Sequence, residues 1–143
     1  MFILSFYIFS LLLSFTDYKK FIVPNNIVIA MTVMMLVVGF IESKIYISSI
    51  ILSLGVLIFF IIIMLIKPTM ILGGGDIKYM MIVSIFLGVQ SFALFLVVTG
   101  LLQTITLLYI QKVKNRRIAA MVPIMFLSVI IVELLTINKL YPF

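Results

Sequence analysis

The 143-residue chain contains no cysteine and no histidine, and only four of its residues are acidic. The first two absences exclude disulfides, thiol nucleophiles, Cys/His zinc centres and a serine–histidine triad. Carboxylates, lysines, arginines, tyrosines and hydroxyls are what remain for chemistry. Charge is scarce as well: 10% of residues are charged and 66% are hydrophobic, with a mean hydropathy of +1.47. A soluble domain carries roughly a quarter of its residues charged, so this chain must be covered mostly by lipid. The expected fold class is all-α, a polytopic membrane bundle of about six transmembrane helices. Residues 1–143 then form a single membrane-embedded domain, with no room for a soluble domain of ordinary size.

What is present is a series of apolar runs separated by short polar breaks. Met1 to Phe15 lacks the basic start and small-residue cleavage site of a secretory signal and is read as a retained first helix. Residues 16–25 read as a polar loop closed by Pro24-Asn25, with Asn25 placed to cap a second helix from about Asn26 to Ile41. Glu42-Ser43-Lys44 turns the chain into a third helix, Ile45 to Ile66, which Lys67-Pro68-Thr69 stops. The glycines Gly73, Gly74 and Gly75 do not favour helix and permit a sharp turn. From Asp76 to Ile110 the apolar stretch is too long for one crossing, and the best break is Gly88-Val89-Gln90-Ser91. A basic segment, Lys112 to Arg117, precedes a sixth helix from about Ala119 to Thr136.

Asp17 and Asp76 are the only aspartates, and each lies where an apolar stretch meets a polar one. A carboxylate near lipid is costly enough to raise a functional hypothesis. With the amino terminus outside, eight basic residues (Lys19, Lys20, Lys67, Lys78, Lys112, Lys114, Arg116 and Arg117) fall inside and two (Lys44 and Lys139) outside. The positive-inside rule therefore puts both termini outside the cytoplasm and both aspartates on its side. The same rule accounts for the basic cluster between two lipid-embedded helices, with contact to acidic membrane lipids as the next reading; nucleic acid is not an indicated partner.

An aspartate followed shortly by Pro-Asn, and then Gly-x-Gly-Asp with a lysine two places on, resembles the type IV prepilin peptidases, including the preflagellin peptidases. Asp17 with Pro24-Asn25 matches the first motif and Gly73 to Asp76 with Lys78 the second. Met121 to Phe126 is more weakly similar to the proline-containing last helix of that family. The resemblance implies a prokaryotic plasma-membrane aspartyl endopeptidase that removes the basic leader of a pilin-like precursor at the cytoplasmic face. Its partner is a precursor with a basic leader and an apolar helix. Asp17 and Asp76 are the implied catalytic pair, and Gly73, Gly75, Lys78, Pro24 and Asn25 the residues of the active-site turn or substrate contact. No metal and no cofactor are expected. Longer family members are similar to bifunctional enzymes that also methylate, through an extra cytoplasmic region often holding Cys-x-x-Cys pairs. Without cysteines and with a short first loop, this chain is expected to cut and not to methylate.

The chemistry suits the residues. Two close carboxylates cannot both ionise readily, so one takes a proton from water while the other, neutral, polarises a carbonyl. Helix dipoles suggest Asp76, in a first turn, as the base and Asp17, near a carboxyl end, as the acid. Bland readings stand beside this one: Asp76 as a helix cap, Asp17 as a solvated interfacial residue, Lys78 as an interfacial anchor, Glu42 and Glu133 as solvated helix ends, and the methionines as lipid-facing or packing residues. A small transporter or channel subunit and a non-catalytic assembly subunit are alternative functions.

Overall fold

The computed structural model describes residues 1–67, 73–114 and 119–138. Among them there is no strand, and five helices follow in order: α1 (Phe2–Lys20), α2 (Asn25–Ile41), α3 (Ile47–Ile66), α4 (Gly74–Lys114) and α5 (Met121–Ile137). The count is five and not the expected six, because the fourth and fifth expected helices are separated by no loop. Their break is one residue, Gly88, at φ 73° and ψ 177° inside α4. On a straight helix Met80 and Leu96 would lie about 24 Å apart, yet both line one cavity of about 510 Å³ together with Leu52, Val56 and Phe60 of α3. The arm after Gly88 therefore folds back toward the arm before it.

Other boundaries also move. The first helix does not stop at Phe15 but continues to Lys20, where Phe21 adopts a left-handed conformation (φ 52°) and donates its N–H to the Asp17 carbonyl at 2.8 Å. The loop read as 16–25 shrinks accordingly, because the next carbonyl–amide ladder can form as long as the side chains of Thr16 and Asp17 are accommodated. α2 begins at Asn25 with Pro24 as its extended cap residue, and no side-chain cap bond forms there. α3 starts two residues later than expected, and α5 at Met121. Gly74 and Gly75 belong to the first turn of α4, since an amino-terminal turn tolerates glycine when its carbonyls are bonded further along. The expected stop at Pro68-Thr69, part of the basic segment (115–118) and Lys139 lie outside the described residues.

The bundle is inside-out relative to a soluble protein. The buried residues of α3 are two serines, Ser49 and Ser53, whereas Ile51, Leu54, Ile58, Phe59, Ile62 and Leu65 face outward. Such a surface is stable in lipid, where backbone polarity is satisfied within each helix and apolar side chains need no cover. Three helices are long and apolar enough to cross a membrane by length and composition, and α2 and α5 are shorter apolar helices. The protein is an integral membrane protein built as a helical bundle. α1 packs on α2 and α5, and α4 on α2, α3 and α5. Phe6 stacks on Phe86 (3.9 Å between centroids, 4° between planes) above Tyr79, Val83, Met125 and Val129. Met31, Met35 and Met125 pack in this core, consistent with the packing role read for methionine.

The end of the bundle holding Met1 and the α2–α3 turn is pinned by charge. Glu42 pairs with the Met1 amine at 2.6 Å and with Lys44 at 3.1 Å, so its reading as a merely solvated helix end is corrected. The Met1 amine first, and Lys44 second, hold its carboxyl down at about 2. Glu133 is likewise not simply solvated: it accepts a hydrogen bond from the Tyr7 hydroxyl across the α1–α5 interface.

Candidate active site

The opposite end gathers both sequence motifs. Phe2, Phe6, Ser10, Leu13 and Asp17 are the buried residues of α1, at steps of three and four that place them on one helix face. Asp17 thus points inward because it continues the core stripe, and it is 5% exposed. Its Oδ2 accepts a hydrogen bond from the Val122 N–H at 3.0 Å. Val122 is the second residue of α5, where backbone donors have no intrahelical partner, and no α5 side chain caps that end. A carboxylate from one helix therefore satisfies the amino end of another, and locks the Asp17 rotamer.

Asp76 enters from the first turn of α4, its N–H bonded to the Gly73 carbonyl at 3.0 Å. Next to it, Gly75 packs against Val23 in the loop that leaves α1, so the start of α4 meets the end of α1 that carries Asp17. The dipole reading of their roles considered α1 and α4 alone. The amino end of α5 also faces Asp17 and works against the carboxyl end of α1 there.

The remaining motif residues divide between contact and space. Lys78 donates from Nζ to Asn25 Oδ1 at 2.8 Å, so the residue expected to cap α2 instead ties the first motif to the second. Pro24 supplies the extended turn that presents Asn25. Gly73 leaves room for the Asp76 carboxylate, whose Oδ2 would be 3.1 Å from a side-chain carbon added there. Gly75 is different from its expected role. A carbon added at Gly75 would meet Val23 Cβ at 2.5 Å, so its open face is occupied by the α1–α2 loop. Close backbone approach is real at Gly75, but the partner is this chain.

Sequence reasoning missed Val122, whose contribution is a backbone N–H brought from 105 residues away; Pro123 marked a helix start nearby but nothing linear paired it with Asp17. It also missed Tyr79, Ser10 and Ser14, although the steps 10–14–17 and 76–79 put them on the faces of the aspartates. Among the described residues no group of three His, Cys, Asp or Glu side chains is placed to hold a metal.

The fold defines the class as a polytopic helical membrane protein, with Asp17 at the end of α1 and Asp76 at the start of α4. The particular family follows from a profile match. The type IV leader peptidase family matches residues 4–108, and the chain belongs to that family. The match includes Asp17, Asp76 and every other motif residue named above, and ends before α5. No curated protein and no solved structure matches the chain.

Proposed function

We propose that this protein is an aspartyl endopeptidase that removes the basic leader from pilin-like precursors at the cytoplasmic membrane face. The family makes the protein a leader peptidase-like protease. The observation that supports the finer reading is the inward-facing Asp17, pinned by Val122 at the end of the bundle where α4 starts with Asp76. The remaining polar contact of the motifs, Lys78 to Asn25, lies beside the pair and holds α2 against α4.

In the proposed reaction one carboxylate accepts a proton from water as its oxygen attacks the scissile carbonyl carbon. The other carboxyl donates its proton to the carbonyl oxygen. Collapse of the tetrahedral intermediate breaks the C–N bond, and the leaving nitrogen takes up a proton from the pair. The products are a carboxyl-terminated leader and a free amine. Two carboxylates suffice to activate water, so neither a metal nor a cofactor has a part in these steps. The same reading makes the enzyme a peptidase without methyl transfer, since the chain has no cysteine for the Cys-x-x-Cys pairs of the longer members and only four residues separate α1 from α2.

Asp17→Asn and Asp76→Asn should each reduce leader removal to background while the protein stays inserted and folded. Because the pair acts as a unit, the double variant should be no worse than either single one. Processing of a co-expressed precursor, read by gel shift, is the assay; normal cleavage by either single variant would sink the aspartyl mechanism.

A further inference from the structure

Several buried or part-buried serine and threonine hydroxyls in this bundle bond back to their own helix. Ser84, Ser128, Thr32, Thr106 and Thr136 all do so. Ser10 and Ser14 of α1, and Thr99 in the second arm of α4, do not: their hydroxyls are shut off from solvent and find no hydrogen-bond partner among the described residues. The same holds for the Tyr79 hydroxyl of α4, on a side chain that is fully buried. Tyr79 stands against α1, its ring 6.5 Å from Phe6 and its hydroxyl on the side of Ser10.

The Ser10, Ser14 and Tyr79 hydroxyls share one place. Ser10, Ser14 and Asp17 follow each other at steps of four and three on the inner face of α1, and Tyr79 is one turn from Asp76 on α4. A buried hydroxyl without a partner costs about 1–3 kcal/mol, and an apolar residue at each position would fill the same space without that cost. Neighbouring buried polar groups whose bonding is left unfilled by the protein are the usual hosts of internal water, which makes two to four hydrogen bonds. We infer that Ser10, Ser14 and Tyr79 hold internal water between α1 and α4, and that this water supplies the Asp17–Asp76 pair with its hydrolytic reactant. The second half rests on the aspartyl reading above; the first half does not. Hydrolysis consumes one water per bond cut, and the apolar walls of the bundle offer few other polar stations to hold it. Ser10, Ser14 and Tyr79 are then positioning residues, acting through water on the catalytic pair.

The test uses the full chain in lipid bilayers, isotope-labelled at serine, tyrosine, aspartate and valine, with water-edited solid-state NMR. Polarisation from water should reach Ser10, Ser14 and Tyr79 well before the dry core residues Val83 and Val129, which are fully buried. Build-up at the three hydroxyl residues as slow as at the two valines would overturn the water site. In parallel, the Ser10→Ala/Tyr79→Phe double variant should lose on the order of tenfold in kcat with KM unchanged, equivalent to about 1.4 kcal/mol. Its thermal melt should remain a single cooperative transition, showing that the lost rate is not lost folding. Wild-type kcat in that variant overturns the supply role. Normal cleavage by Asp17→Asn would instead defeat the aspartyl reading and leave the NMR result standing, so the two failures are distinguishable.

Discussion

At Gly75 a side chain would have to displace the loop that precedes α2. The added carbon of Gly75→Ala would sit 2.5 Å from Val23 Cβ, whereas at Gly74 it would meet nothing within 4 Å. Gly75→Ala should therefore destabilise the protein by about 1–3 kcal/mol, the usual cost of overpacking, while Gly74→Ala stays near neutral. Val23→Gly removes the obstructing carbon, so the Gly75→Ala/Val23→Gly pair should be strongly non-additive in a double-mutant cycle. Thermal melts in detergent measure all three; equal effects at positions 74 and 75 would contradict the packing. The motif told that glycine was needed at this site but not for whom. Only the fold brings Val23 to Gly75, because the two are joined through a helix pair and not through local sequence.

Helix α4 carries its strain at one point. Gly88 takes a φ of 73° with ψ near 180°, a region open in practice only to glycine. An added carbon there would meet only Ser49 Oγ at 3.6 Å, an ordinary contact, so any penalty comes from the backbone itself. Gly88→Ala should cost about 1–3 kcal/mol. Gly100→Ala in the same element, with open space around it, should instead stabilise by about 0.5–1 kcal/mol through helix propensity. Opposite shifts in melting temperature are expected, and a common sign for both would show that the break does not depend on glycine. Length alone made a break in this stretch necessary, and Gly88 was its natural place. That the break would occupy a single residue, so that its two arms run on as one element, was not legible, since loop length depends on how the two arms pack on α3.

Across the whole bundle, the two ends are chemically distinct. One joins Met1, Glu42 and Lys44 by ion pairs; the other gathers Asp17, Asp76, Asn25, Lys78 and the start of α5. The charge asymmetry of the sequence predicts that the second end faces the cytoplasm. In a chain free of cysteine, a single cysteine at Ser43 should be labelled by an impermeant thiol reagent on intact cells. One at Asn115, a position outside the described residues, should be protected. The reverse pattern would put the aspartates on the wrong face for a leader that has not crossed the membrane.

Composition and motif spacing by themselves determined that this is a helical membrane protein of the leader peptidase type, with Asp17 and Asp76 as its candidate pair. Those features are local: hydropathy is summed over neighbours, and the Pro-Asn and Gly-x-Gly-Asp contexts are read within a few residues. Tertiary structure alone decided that Asp17 is seated by Val122, that Asn25 serves Lys78 and not its own helix, and that Gly75 accommodates Val23. It also decided that the Ser10, Ser14 and Tyr79 hydroxyls are buried without a protein partner among the described residues. Each of these depends on which helix faces outnumber the rest in contact, and a helix face is chosen by packing among partners far apart in the chain, so no window of sequence contains the choice.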